Sequence, residues 1–210
     1  IGTLMRGAIM GLFSKLFKKN TSVKVTSESS STSNPECLKL FELKKYMDML
    51  LSENQYIPKS GYRNRLLEDK KTIEYFAVLD NSGMLKSFCD SNKIDVSAVE
   101  TTLNRYRNFE AKVDAHNEEY IQRAMKSEKT YLDNILHDVD PKIKLDDDQR
   151  RVILTDEDYC LVIAGAGAGK TTTVAAKVKY LVEKKDIDPS QILVVSFTNK
   201  ASFPFIFFTR

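Results

Sequence analysis

The chain has 210 residues, of which 29% are charged and 42% hydrophobic, and its net charge at pH 7 is +3. This composition excludes a disordered chain and is typical of one or two domains that bury a core. The basic charge is concentrated in residues 1–24, which contain no acidic residue, so the body of the chain is not a basic clamp for nucleic acid. The three cysteines are widely spaced, which indicates reduced thiols and a cytoplasmic protein rather than a disulfide framework or a zinc site.

Residues 1–35 are predicted to be a basic segment followed by a flexible linker. Met10 is a more natural start than Ile1, so residues 1–9 are interpreted as an extension. The basic amphipathic stretch after Met10 is too short to span a membrane. Two interpretations stay open: it contacts an acidic membrane surface or partner, or it is an N-terminal segment exposed to solvent. Residues 20–35 are rich in serine and threonine and end at Pro35, which predicts the linker.

Residues 36–144 are predicted to form a helical arm, because their apolar residues recur at helical spacing with turn residues between the repeats. The predicted helices cover 37–53, 62–79, 84–91 and 96–136. Such a segment can satisfy its apolar stripes by packing helix on helix, so we expect it to fold without the rest of the chain. Two interpretations stay open: an arm that docks on DNA or on a protein partner, and a packed bundle without a ligand.

Residues 164–171 read Ala-Gly-Ala-Gly-Ala-Gly-Lys-Thr, which fits the phosphate-binding loop except that alanine replaces its first glycine. The apolar run at 159–163 predicts a strand before the loop, and the spacing of apolar residues over 172–183 predicts a helix after it. In this context backbone N–H groups surround phosphates at the positive end of a helix. The residues predicted to bind the phosphates are Ala164, Gly165, Ala166, Gly167, Ala168, Gly169, Lys170, Thr171 and Thr172.

Two of these residues have predicted catalytic roles. Lys170 would reach the β and γ phosphates, and the hydroxyl of Thr171 would be a ligand of Mg²⁺. The sequence therefore predicts a site for a nucleoside triphosphate and Mg²⁺.

Two segments that flank the loop indicate which class of nucleotide-binding protein the sequence resembles. Residues 145–151 read Leu-Asp-Asp-Asp-Gln-Arg-Arg, and residues 194–201 read Val-Val-Ser-Phe-Thr-Asn-Lys-Ala. With the loop between them, these segments resemble in order and spacing the start of the motor domain of UvrD/Rep-type superfamily 1 DNA helicases, helicase IV-like members in particular.

The resemblance implies roles for four further residues. Gln149 would read the adenine edge, which makes ATP the expected nucleotide. Phe197, Thr198 and Asn199 would contact single-stranded DNA. Each segment also has a structural interpretation: Asp146 to Asp148 suit the start of a helix, and 192–197 suits a buried strand that ends in a cap.

The predicted fold class is α/β: a helical N-terminal region is followed by an incomplete RecA-like P-loop domain, β-α-β, over 145–201. Residues 202–210 depart from the family pattern, and Pro204 opposes a helix there. A frameshift, a disrupted gene, an engineered boundary and a genuine terminal strand are all open explanations of this apolar tail.

The resemblance implies that the parent protein is an ATP-driven 3′-to-5′ helicase or translocase on single-stranded DNA. No second acidic motif and no arginine motif follow Ala201 in this sequence, so the chain is expected to bind ATP without turnover. The alternative is a non-enzymatic product in which the helical arm alone acts as an interaction module. No segment is expected to span a membrane.

Overall fold

The computed structural model describes residues 34–165 and 167–195. Several predictions lie outside this range: those for the N-terminal segment up to residue 33, the loop residue Ala166, the DNA-contact residues Phe197, Thr198 and Asn199, and the tail. Contacts separate the described residues into two units, 34–118 and 119–195, each described here by itself.

The first unit is built from six helices, the last of which continues into the second unit. They are α1 (Pro35–Ser52), α2 (Arg63–Glu68), α3 (Lys70–Asn81), α4 (Leu85–Ser91), α5 (Val96–Arg107) and α6 (Phe109–Ser127). A 3-10 turn, Lys59–Gly61, precedes α2. The described part of the second unit adds α7 (Lys129–Asn134), α8 (Asp147–Leu154), α9 (Lys170–Glu183) and a 3-10 turn, Pro189–Gln191.

The helix boundaries differ from the predicted ones where side chains compete for backbone groups. Pro35 opens α1 instead of ending a linker, because the Asn34 side chain accepts from the N–H groups of the first turn and proline needs no donor there. The predicted helix over 96–136 is three helices, interrupted at Asn108 and Glu128. The Asn108 amide donates to the carbonyl of Asn104, four residues earlier, and such local bonds favour a helix end.

The core of the first unit contains one face of α1 and the apolar faces of the helices around it. Its buried residues are Cys37, Leu40, Leu43, Met47, Leu50, Ile57, Tyr62, Ile73, Phe76, Leu85, Cys89, Ile94, Val99, Leu103, Phe109 and Val113. Tyr62 and Phe109 meet edge to face, with ring centroids 5.5 Å apart. Aromatic pairs in this geometry add attraction beyond the area they bury, so this contact links the start of α2 to the start of α6.

One buried amide holds the irregular segment after α1. Asn117, on α6, accepts from the Ile57 N–H at 2.8 Å and donates to the Ile57 carbonyl at 2.9 Å. Both residues are more than nine-tenths buried. The amide therefore replaces the hydrogen bonds that a regular element would give Ile57, which allows an extended segment to cross the core without orphaned polar groups.

The core of the second unit places α8 against α9. Its buried residues are Ala124, Leu132, Ile135, Leu136, Leu145, Ile153, Leu154, Ala175, Ala176 and Tyr180. The guanidinium of Arg150, on α8, binds the Asp133 carboxylate of α7 at 2.7 Å and the Leu145 carbonyl at 3.1 Å. These contacts fix the orientation of α8 beneath the loop that leads into α9.

Lys177 joins the other end of α8 to α9. Its ammonium donates to the carbonyls of Ile153 and Thr155 at 2.6 and 2.7 Å, so it satisfies acceptors that the end of α8 leaves free. Desolvation by burial lowers the pKa of Lys177 to about 8, although the nearby Asp156 carboxylate opposes that shift.

The predicted α/β fold is wrong for the described residues, which form helices and contain no strand. The segment 159–163 and the described part, 192–195, of the segment 192–197, which were expected to be the two strands of a β-α-β unit, are irregular. Several of their apolar side chains lie in solvent: Tyr159 is 81% exposed, Ile163 87% and Leu193 77%. A strand exists only through hydrogen bonds to a neighbouring strand, and within the described residues these two apolar runs have none.

Over the described residues, no helix combines the length and the apolar character that crossing a membrane requires.

We expect Asn117→Ala to lower the free energy of unfolding by about 1–3 kcal/mol, because it leaves a buried N–H and a buried carbonyl of Ile57 without partners. Urea unfolding followed by far-UV circular dichroism measures this change. The control is Asn64→Ala, an exposed position on α2, where a change within about 0.5 kcal/mol is expected. Equal effects of the two substitutions would contradict the role given to Asn117.

Lys177 predicts a pH dependence of stability. Its folded-state pKa of about 8 is below the ordinary 10.5, so below pH 8 both states are protonated and the folded state carries the full cost of desolvation. Between pH 8 and 10.5 the folded chain releases this proton first, so stability should rise with pH. Burial raises the pKa of Tyr180 to about 12, and its ionisation in the unfolded chain opposes this gain only above about pH 10.

The measurement compares melting temperatures of the wild type and Lys177→Met between pH 7.5 and 9.5. Methionine has no proton to release, so the wild type should gain stability relative to the variant as pH rises. A difference that stays constant or falls over this range would show that Lys177 is not desolvated in the folded chain.

Candidate nucleotide-binding site

The loop before α9 has the backbone conformation that its glycines permit. Gly167 and Gly169 have positive φ angles of 77° and 70°, which residues with a side chain rarely adopt. The Ala168 N–H donates to the Gly165 carbonyl at 3.4 Å and closes the turn between them. Ala164, which stands where the motif has its first glycine, does not have a positive φ, so an alanine fits there without strain.

The loop ends at the N-terminus of α9, where Gly169 is the cap residue. The Gly169 carbonyl accepts from the backbone N–H and the hydroxyl of Thr173, at 2.8 and 3.0 Å. The N–H groups of Lys170, Thr171 and Thr172 are in the first turn, where a helix has no internal acceptors for them. The N–H groups of this first turn and the positive end of the helix dipole favour an anion at this position.

The ammonium of Lys170 is held inside the loop. It donates to the Gly165 carbonyl at 2.6 Å and to the Ala164 carbonyl at 3.0 Å. The positive charge therefore lies beside the helix N-terminus, and among the described residues its hydrogen-bond partners are neutral carbonyl oxygens. A phosphate oxygen would be a stronger acceptor than either carbonyl, because it carries a negative charge that also attracts the ammonium electrostatically.

A cavity of about 180 Å³ opens between α8, residues 160–164 and the start of α9. It is lined by Asp146, Asp148, Gln149, Val152, Cys160, Val162, Ile163, Ala164, Ala168, Lys170, Thr173 and Val174. A cavity of about 150 Å³ holds a benzene ring, so this one has room for an aromatic ring but not for a whole nucleotide. The mostly apolar wall suits a base, and the open loop beside it suits a phosphate chain.

The Gln149 side chain lies at the junction of the cavity and the loop. Its Nε2 faces the Ala168 carbonyl at 3.5 Å, and a Cβ added to Gly169 would come within 2.4 Å of the same nitrogen. The other side of the amide takes part in a capping box, in which Asp146 is the N-cap of α8. The prediction that this acidic cluster starts a helix is therefore confirmed for Asp146.

The structure thus brings four predicted residues, Gln149, Ala164, Ala168 and Lys170, around one cavity. Thr171 and Thr172 lie beside it in the first turn of α9. Sequence reasoning did not select the apolar wall and Thr173. Cys160 and Val162 lie in the predicted apolar run 159–163, but that run is apolar throughout, so the sequence did not indicate which of its residues would line a cavity.

Residues 145–203 match the model of the UvrD/REP helicase N-terminal domain. The matched range contains the capping box of α8, the cavity, the loop and α9.

Three similar proteins carry helicase names. A probable DNA helicase II homolog of Mycoplasma capricolum subsp. capricolum is 50% identical over 58 residues, 28% of this chain. The ATP-dependent DNA helicase UvrD1 of Mycobacterium leprae is 37% identical over 71 residues, 34% of this chain. The ATP-dependent DNA helicase PcrA of Staphylococcus epidermidis is 40% identical over 58 residues, also 28% of this chain.

The match spans 8% of the length of each of these three relatives. No solved structure matches the chain. The family model covers the stretch of sequence that contains the loop and α9. Over residues 145–203 the chain is therefore similar to the N-terminal domain of UvrD/REP helicases.

Proposed function

We propose that the second unit binds ATP together with Mg²⁺. The observation that carries this proposal is the position of the Lys170 ammonium, which lies in a glycine loop at the N-terminus of α9 and donates to two backbone carbonyls of that loop. Positive charge and helix N–H groups at one point provide what a triphosphate needs. The relatives named as ATP-dependent helicases support ATP as the nucleotide.

Each part of the nucleotide has a candidate partner. The phosphates would lie on the N–H groups of Lys170, Thr171 and Thr172, with the Lys170 ammonium moving from the loop carbonyls to the β and γ phosphates. The Thr171 hydroxyl would hold Mg²⁺, whose charge helps to neutralise the phosphates. The adenine would enter the apolar cavity, where Gln149 lies at its edge.

For the parent protein, the proposed activity is ATP-driven 3′-to-5′ movement on single-stranded DNA. The three relatives are named as DNA helicases, and Phe197, Thr198 and Asn199 are the proposed DNA contacts. The first unit remains a candidate interaction module. Its separate hydrophobic core supports the proposal that this unit folds on its own.

We expect Lys170→Ala to weaken binding of Mg·ATP to the 210-residue chain by about tenfold to a hundredfold, because hydrogen bonds to charged groups contribute about 1.5–3 kcal/mol. Displacement of a fluorescent ATP analogue gives the two dissociation constants. The matched control is Lys126→Ala, which removes the same charge from an exposed position on α6 and should leave the affinity unchanged. Tight binding that survives Lys170→Ala would refute the proposed site.

A second expectation is that the isolated chain binds ATP without turnover above background, with or without single-stranded DNA. Transfer of the γ-phosphoryl group needs a positioned water and cationic groups that stabilise the transition state, and none of the described residues that line the cavity is an arginine. Release of inorganic phosphate, measured for the wild type and for Lys170→Ala, tests this. DNA-stimulated release that Lys170→Ala abolishes would overturn the expectation.

A further inference from the structure

The amide of Gln149 is held on two sides in the described structure. Its Oε1 accepts from the Asp146 N–H at 3.0 Å, while the Asp146 carboxylate accepts from the Gln149 N–H at 2.8 Å. On the other side, its Nε2 donates toward the Ala168 carbonyl at 3.5 Å and lies directly over Gly169. The N-terminal cap of α8 and the glycine loop therefore both hold the Gln149 side chain.

These contacts fix the orientation of the Gln149 amide, with Oε1 toward Asp146 and Nε2 toward Ala168. A free glutamine amide can rotate by half a turn and exchange its donor and its acceptor. Here the exchange would turn the Nε2 donors toward the Asp146 N–H and the Oε1 acceptor toward the Ala168 carbonyl. Two favourable contacts would become two repulsive ones, so the capping box excludes the rotated state.

An amide with a fixed orientation distinguishes purine bases. One Nε2 hydrogen and the second lone pair of Oε1 are left for a ligand after these contacts are made. Adenine offers an acceptor, N7, beside a donor, the N6 amino group, and so matches an amide. Guanine offers two acceptors, N7 and O6, so one of the two contacts becomes repulsive.

We infer that Asp146 is a positioning residue for base selection, which acts by holding the Gln149 amide in the orientation that accepts adenine and rejects guanine. The inference rests on the proposed binding of ATP and adds to it a residue that need not touch the nucleotide. The same capping box thus starts α8 and orients a group at the edge of the cavity.

The experiment measures the affinities of the full chain for Mg·ATP, Mg·GTP and tripolyphosphate, which carries the phosphates without a base. The key variant is Asp146→Ala, which removes the cap. Asp146→Asn is the conservative variant, because asparagine caps a helix as well as aspartate does. The matched control is Asp147→Ala, which removes a carboxylate from the same turn at a position that does not line the cavity.

We expect the wild type to prefer ATP over GTP, and Asp146→Ala to reduce that preference by about fivefold, the factor that corresponds to the net contribution of one hydrogen bond. Affinity for tripolyphosphate should stay unchanged, and Asp146→Asn and Asp147→Ala should keep the wild-type preference. Gln149→Glu is an independent test, since glutamate still completes the capping box but has no N–H to donate. It should lose the preference while α8 stays formed.

Equal weakening of ATP, GTP and tripolyphosphate by Asp146→Ala would mean that the residue only stabilises the unit, and the inference would be overturned. An unchanged preference in Asp146→Ala or in Gln149→Glu would overturn it as well. In both cases the binding of ATP by the wild type would stand. A wild-type chain that binds no ATP would instead defeat the proposed function and the inference together.

Discussion

The candidate site depends on the left-handed backbone of Gly169. Its φ of 70° turns the chain from the loop into α9, and its missing Cβ leaves the space that the Gln149 amide occupies. Any side chain at this position would strain the backbone and push into that amide at 2.4 Å. One glycine thus allows the helix N-terminus, the lysine of the loop and the amide from α8 to meet at one cavity.

The supporting contacts are mostly polar side chains that satisfy irregular backbone. Arg150 and Lys177 hold the two ends of α8 by carbonyls and a carboxylate, and Asn117 gives Ile57 both of its hydrogen bonds. Irregular segments carry as many backbone donors and acceptors as helices, and burying them unpaired costs free energy. The geometry of α8 beside the cavity therefore depends on Arg150 and Lys177 as well as on apolar packing, and the irregular segment of the first unit depends on Asn117 in the same way.

The family match and the local geometry concern the same part of the chain. The matched range, 145–203, includes the capping box, the loop and α9. The exposed apolar runs around 161 and 193 lie within that range too. The described residues thus contain the local parts of the proposed nucleotide site without the sheet that was expected around them.

The sequence by itself determined the features that depend on neighbouring residues. The glycine loop, the helix after it and the cap at Asp146 follow from backbone freedom and from contacts three or four residues apart, and the structure contains all three. Tertiary structure alone decided whether the apolar runs pair, where Lys177 finds its acceptors, and how Asn117 reaches Ile57 across 60 residues of sequence. These contacts depend on which distant groups come together, and local propensity carries no information about long-range pairing. The strand prediction was wrong because an apolar run indicates burial but does not specify a neighbouring strand.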